Sequence, residues 1–259
     1  MLLLVDAGNT RIKWALLDSL ARPVLGAWHA AGSVARADVA QLAQAWRGCR
    51  INRVLLSNVA GAEMRNALEQ AVLRATAGQP VALEWFASVA ELGGVRNHYL
   101  QPAQLGCDRF AAVIGAHALF PQQSLVVATC GTATTIDAVS AAGDFIGGMI
   151  LPGLGLMAAS LAKNTAQLPQ VALHLNLTQP FADHTDAAIV SGCLAAQAGA
   201  IERALAAYAN AHPDAEVCCI LAGGAADLIA PHLSIACKRI DNLVLIGLQT
   251  VATQPLPPC

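Results

Sequence analysis

The stretch Leu2-Leu3-Leu4-Val5-Asp6-Ala7-Gly8-Asn9-Thr10-Arg11-Ile12-Lys13-Trp14-Ala15-Leu16-Leu17 sets a small polar turn between two apolar runs. Leu2–Val5 reads as a buried strand and Ile12–Leu17 as its return, with Ile12, Trp14 and Leu16 on one face. The turn has the groups that hold a phosphate. Gly8 lets backbone approach closely, Asn9 tolerates left-handed backbone and carries an amide, and Thr10 offers a hydroxyl. Lys13 can reach back from the second strand as a point charge. Asp6, at the strand end, suits a magnesium ion held through water. An ordinary Gly-Asn hairpin fits the same residues equally well.

The pattern returns downstream. Leu125–Ala128 reads as a strand, Cys130-Gly131-Thr132 as a turn and Ala133–Val139 as a returning strand, with Thr132 as the phosphate donor. Each hairpin is followed by a third strand, Val24–Ala30 in one case and Phe145–Leu151 in the other, and then by helices. The expectation is two lobes of related topology split near Pro121: residues 1–119 with the first turn, residues 120–259 with the second. The two turns would face each other across a cleft and hold ATP phosphates from both sides. Asp137 reads more simply as a strand residue than as a metal ligand. Gly223-Gly224 after the strand Val217–Leu221 would let an adenosine lie against backbone.

Between the hairpins, the spacing predicts helices through Val39, Leu42, Ala43 and Trp46, through Met64–Ala75, and from about Leu105 to Leu119. Arg53–Ser57 reads as a strand and Ala187–Ala209 as a long helix. The third chemical segment is Gly106-Cys107-Asp108-Arg109 at a helix start. Its carboxylate could take the proton of a substrate hydroxyl while the arginine orients an anion. Asp108 reads equally as a helix cap, a placement that would lower its pKa.

Composition narrows the classes. The chain has 259 residues, 56% hydrophobic and 12% charged, which excludes a disordered polymer. Only Lys13, Lys163 and Lys238 are lysines and the net charge is −2, so a sequence-independent grip on nucleic acid is not expected. Phe145–Ala162 is uncharged, but its glycines and Pro152 predict strand, turn and helix rather than a membrane span. The eight cysteines form no C-x-x-C pair and sit in apolar context, as in a reduced cytoplasmic protein. The sequon Asn176-Leu177-Thr178 then carries no meaning. The histidines lack metal-site spacing and read as surface or satisfied core residues. No P-loop, Rossmann fingerprint or G-x-S-x-G elbow occurs.

Taken together, D-x-G-N-T-x-x-K (Asp6–Lys13), Y-x-x-P-x-x-L-G-x-D-R (Tyr99–Arg109), G-T-A-x-T-x-D (Gly131–Asp137) and T-A-x-L-P (Thr165–Pro169) resemble type III pantothenate kinases, close to the branch named Bvg accessory factor. The resemblance runs in order along essentially the whole chain. It implies an α/β, two-lobed actin/hexokinase/Hsp70-like ATPase fold, each lobe ribonuclease-H-like, and ATP-dependent phosphorylation of pantothenate, the first step toward coenzyme A. It implies that Asp6, Ala7, Gly8, Asn9, Thr10, Arg11, Ile12, Lys13 and Thr132 bind ATP with Mg2+. Tyr99, Gly106, Cys107, Asp108, Arg109 and Thr185 would bind pantothenate, with Asp108 as proton acceptor. A homodimer is also implied. The family's monovalent-cation aspartate is replaced by Thr129, which weakens the case for a K+ or NH4+ site. That departure keeps open a non-enzymatic accessory protein of the same fold, and a kinase or phosphatase of the same superfold with another substrate is a further alternative.

Overall fold

The computed structural model describes residues 1–18, 24–173 and 179–253. The sequon at 176–178, His174 and Cys259 lie outside them. In chain order the strands are β1 (Leu2–Ala7), β2 (Arg11–Leu17), β3 (Ala30–Ala35), β4 (Arg53–Asn58), β5 (Ala82–Trp85), β6 (Glu91–Leu92), β7 (Val95–Asn97), β8 (Ser124–Cys130), β9 (Ala133–Val139), β10 (Asp144–Pro152), β11 (Val217–Ala222) and β12 (Cys237–Arg239). The helices are α1 (Leu42–Ala45), α2 (Ala62–Ala75), α3 (Cys107–Leu119), α4 (Leu154–Asn164), α5 (Thr185–Ala211), α6 (Ala226–Ile229) and α7 (Leu243–Thr253), with 3-10 turns at Arg36–Gln41, Pro102–Gln104 and Ala230–His232.

The chain forms two compact units. The first holds residues 1–121, the short segment Gly143–Phe145 and the described residues from Asn242 on. The second holds Gln122–Ala142 and Ile146–Asp241. The C-terminal helix α7 thus belongs with the N-terminal residues, where it packs along α3.

In the first unit the sheet order is β3-β2-β1-β4-β5. β1 runs antiparallel to β2 and parallel to β4. A central strand covered on both faces must be apolar throughout, and β1 is buried at every residue except Asp6. β2 is exposed only at Arg11 and buried from Trp14 on, and its Ile12, Trp14 and Leu16 join Leu3, Val5 and the α2 stripe of Met64, Leu68, Ala71 and Val72 in one core. In the second unit the order β12-β11-β8-β9-β10 repeats the same arrangement. β8 is antiparallel to β9 and parallel to β11. Val126, Ala128 and Cys130 of β8 pack with Ile189, Val190, Cys193, Leu194 and Ile201 of α5.

Three expectations change. The third strand lies at Ala30–Ala35 rather than Val24–Ala30. The fully buried Gln249 of α7 takes backbone groups a strand would use: Gly26 N–H donates to its Oε1 at 3.0 Å and its Nε2 donates to the Val24 carbonyl at 3.1 Å, while the Trp28 indole Nε1–H also donates to Oε1 at 3.0 Å. A backbone group bonded to this side chain is not free for a ladder. The helix through Val39–Trp46 is a 3-10 turn followed by the single turn α1, and it buries only Leu42 and Trp46 fully. Trp46 meets Trp14 edge-on at 6.4 Å between ring centres. The third helix begins at Cys107, not Leu105. Phe145–Ala162 forms the expected strand, turn and helix, and among the described residues no helix is long and apolar enough to cross a membrane.

Candidate active site

β1 ends in the first turn because Gly8 N–H donates to the Arg11 carbonyl at 3.1 Å. Arg36 N–H donates to the Thr10 carbonyl at 2.9 Å, and Arg11 Nε donates to Ser33 Oγ at 2.8 Å, so neighbouring elements fix the turn from outside. Asn9, Thr10 and Arg11 remain exposed. Asp6 stands in register with Lys13 of β2 on one side and with Ser57 of β4 on the other. Burial pushes the Asp6 carboxyl up to about 7; the negative charge of Asp108 adds to the rise and Lys13 opposes it. The structure therefore brings together Asp6, Lys13 and Asp108 from three separate elements.

Asp108 lies in the first turn of α3, but Gly106 is the capping residue. Asp108 Oδ1 accepts the Arg109 N–H at 2.8 Å. The expected fall in its pKa does not occur. Burial raises it, and that outweighs the backbone N–H of Arg109 and the Arg109 charge, both of which lower it. The local helix-terminus effect is real but smaller than the cost of taking a carboxylate out of water. A carboxylate with raised proton affinity is a better base than the helix position alone predicts.

Arg109 is buried, and its Nη1 donates to the Tyr99 hydroxyl at 3.0 Å. The guanidinium lies 5.8 Å from the Tyr99 ring centre, and that ring packs on Phe145 at 5.6 Å. The Tyr99 N–H donates to Asn97 Oδ1 at 3.1 Å, while Asn97 Nδ2 donates to the carbonyls of Val89 and Pro102 at 3.3 and 3.1 Å. Asn97 thus shapes the loop that presents Tyr99. Sequence reading missed it; its nearness to Tyr99 was the available signal. Cys107 Sγ sits 3.3 Å from Ser57 Oγ and donates to the Asn58 carbonyl at 3.7 Å. Burial raises the Cys107 thiol pKa.

The second turn closes in the same way, with Gly131 N–H donating to the Ala133 carbonyl at 3.0 Å. Thr129 stands where Asp6 stands in the first hairpin, in register with Thr135. Its buried Oγ1 has no hydrogen-bond partner. Two glycines grip this turn. Gly153 N–H donates to the Thr132 carbonyl at 3.0 Å, and a Cβ at Gly153 would lie 2.2 Å from the Gly131 carbonyl oxygen. Gly223 has φ +93°, and a Cβ there would lie 2.4 Å from the Cys130 carbonyl oxygen. Only glycine permits either approach. Thr132 is exposed at the turn, and Thr185 is the exposed first residue of α5, after the Asp183–His184 side-chain hydrogen bond at 2.8 Å. Asp137 is buried within β9. His117 departs from the expectation for the histidines, since its buried Nδ1 has no partner and burial lowers its pKa.

A family model described as type III pantothenate kinase matches residues 2–207. A relative from Herminiimonas arsenicoxydans, named type III pantothenate kinase, is 74% identical over 100% of both chains. A second of that name, from Janthinobacterium sp. (strain Marseille), is 73% identical over 100% of both. Among solved structures, one provisionally described as a 2-dehydro-3-deoxygalactonokinase protein from Sinorhizobium meliloti superposes with a TM-score of 0.55 at 16% identity, over 97% of this chain and 98% of that one. That likeness concerns the fold alone, the actin/hexokinase/Hsp70-like ATPase fold. With the motif residues of both turns and of the Tyr99–Arg109 segment present, the chain belongs to the type III pantothenate kinase family.

Proposed function

We propose that this chain transfers the γ-phosphoryl group of ATP to pantothenate by way of the Asp6–Lys13 turn and the Tyr99 and Gly106–Arg109 segment. Pantothenate kinase activity, the first step of coenzyme A biosynthesis, is what the family and its full-length relatives carry. The observation that supports this use of the residues is the convergence of Asp6 and Asp108: Ser57, the register neighbour of Asp6, meets Cys107 just before Asp108, and the Asp108 charge raises the Asp6 carboxyl.

In this reading residues Asp6–Lys13 bind ATP, with Lys13 meeting phosphate charge, and Thr132 offers its hydroxyl to the phosphates. The Asp108 charge raises the proton affinity of the Asp6 carboxyl, and carboxyl oxygens near one another fit a divalent cation. Asp6 would hold Mg2+ through water, and the ion would supply neutralisation of phosphate charge. Tyr99, Gly106, Cys107, Arg109 and Thr185 bind pantothenate. Asp108 accepts the proton of the pantothenate hydroxyl as its oxygen bonds to the γ-phosphorus. The bond from that phosphorus to the bridging oxygen breaks, and ADP leaves. Positioning and charge neutralisation carry most of such a reaction, so a modest base suffices.

Thr129 supplies a neutral hydroxyl where a potassium site would use a carboxylate, and no step is assigned to a monovalent cation. A homodimer belongs to the same proposal, as does a cytoplasmic setting. The exposed Ile146, Met149 and Ile150 of β10 and Leu156 and Leu161 of α4 support the homodimer as an apolar surface; light scattering on the purified protein should give twice the chain mass. The decisive assay gives the protein ATP and magnesium. ADP should appear only when pantothenate is added, and no turnover in any salt would return the chain to the accessory role.

A further inference from the structure

Ser57 is fully buried at the end of β4, after the apolar residues Val54, Leu55 and Leu56. A buried hydroxyl costs stability unless it is hydrogen-bonded. Its partner is the Cys107 thiol at 3.3 Å, a weak donor and weak acceptor. An alanine would fill this strand position without that requirement, so packing alone gives no reason for the hydroxyl. Its location gives one. Ser57 is the register neighbour of Asp6, and Cys107 is the first residue of α3, directly before Asp108. The Cys107 thiol also donates to the carbonyl of Asn58, the next residue of β4. The helix that carries Asp108 is therefore fastened at its first residue to the end of the strand beside Asp6, at one side-chain and one backbone point.

We infer that Ser57 is a positioning residue for phosphoryl transfer, which sets Asp108 against the Asp6–Lys13 turn by holding Cys107. The inference rests on the reading of Asp108 as proton acceptor. Displacements well below 1 Å between reacting groups cost rate without removing any catalytic atom.

The test uses the full-length kinase. Ser57→Ala should fold, bind ATP with its KM little changed, and lose about three- to tenfold in kcat. Because the Asp108 carboxyl then sits in altered surroundings, the acid limb of the kcat–pH profile should move as well, which a mere packing defect would not cause. Ser57→Thr keeps a hydroxyl at this strand position on a β-branched side chain and should recover most of the lost turnover. Native kcat and native pH profile in Ser57→Ala would overturn the inference, as would loss of activity that tracks only the loss of folded protein. Should Ser57→Ala not fold, Ser57→Thr decides, because a folded but slow Ser57→Thr protein with an unmoved pH profile also overturns it. Asp108→Asn run alongside separates the two ideas: if that variant is inactive while Ser57→Ala is normal, only the positioning role falls, and if it is fully active, the proton-acceptor reading falls with it.

Discussion

Asp6 and Thr129 occupy the same place in two hairpins of the same build. Each is the only residue of its central strand that is not buried, each stands two residues before a turn glycine, and each has an antiparallel partner on one side and a parallel strand on the other. The partners differ. Asp6 faces Lys13, with Ser57 beyond; Thr129 faces Thr135, with Ala222 beyond. The first hairpin carries charged groups at its mouth, where burial, with the Asp108 charge added, raises the Asp6 carboxyl pKa against the pull of Lys13. The second has hydroxyls there and obtains its geometry from close backbone packing at Gly153 and Gly223. One backbone frame thus serves two electrostatic ends, and the chemistry is assigned to the first.

The strongest way to break that assignment is to remove the base. Asp108→Asn should keep ATP binding and lose on the order of a hundredfold or more in kcat, the usual scale for a general base. Activity near the native level would make Asp108 a structural first-turn residue. The next contrast uses the two register partners. Lys13→Ala should raise KM for ATP and lower kcat/KM by about ten- to a hundredfold, the range for a charge-assisted bond to phosphate. Thr135→Ala at the matching place should change ATP kinetics far less. Equal losses at both positions would mean that the second hairpin contributes as much as the first.

Much of this was legible in the chain. Both hairpins announce themselves through apolar runs broken by Gly8 and Gly131, which is local information. The substrate segment was visible as a glycine before an acid–base pair at a helix start. What failed depended on distant partners. The strand expected at Val24 is displaced because Gln249, near the other end of the chain, takes its backbone groups. The pKa of Asp108 was misjudged because the helix terminus is read locally while burial is a property of the fold. Ser57 carries no spacing signal at all; only the pairing of β1 with β4 puts it beside Asp6.

A smaller effect sharpens the comparison from the other side. The Thr129 hydroxyl is buried without a partner, and the native chain should turn over at equal rates in potassium and sodium salts of the same ionic strength. Thr129→Asp would place a carboxylate where the hydroxyl is now out of water, which is costly. That variant should melt lower than the native protein in cation-poor buffer, recover with potassium, and show potassium-dependent turnover. Native turnover that requires potassium would show that hydroxyls suffice for the ion.

The smallest expected effect is the pH dependence of stability, and it belongs to the first hairpin alone. The Asp6 carboxyl moves from its ordinary 3.8 to about 7 in the folded protein, and Asp108 is raised as well. Between those limits the folded state holds protons that the unfolded chain has released. Stability must therefore fall as pH rises through that window, and the slope from Asp6 ends above about 7. In nucleotide-free protein the melting temperature should drop across it. Asp6→Asn should flatten most of that drop and leave the protein more stable near neutral pH, because the amide needs no proton to be buried uncharged. Thr129→Asn changes no ionisable group and should leave the slope as it was. If Asp6→Asn keeps the full slope, the strain of charge lies elsewhere, and the contrast between the two hairpins is one of sequence rather than of electrostatics.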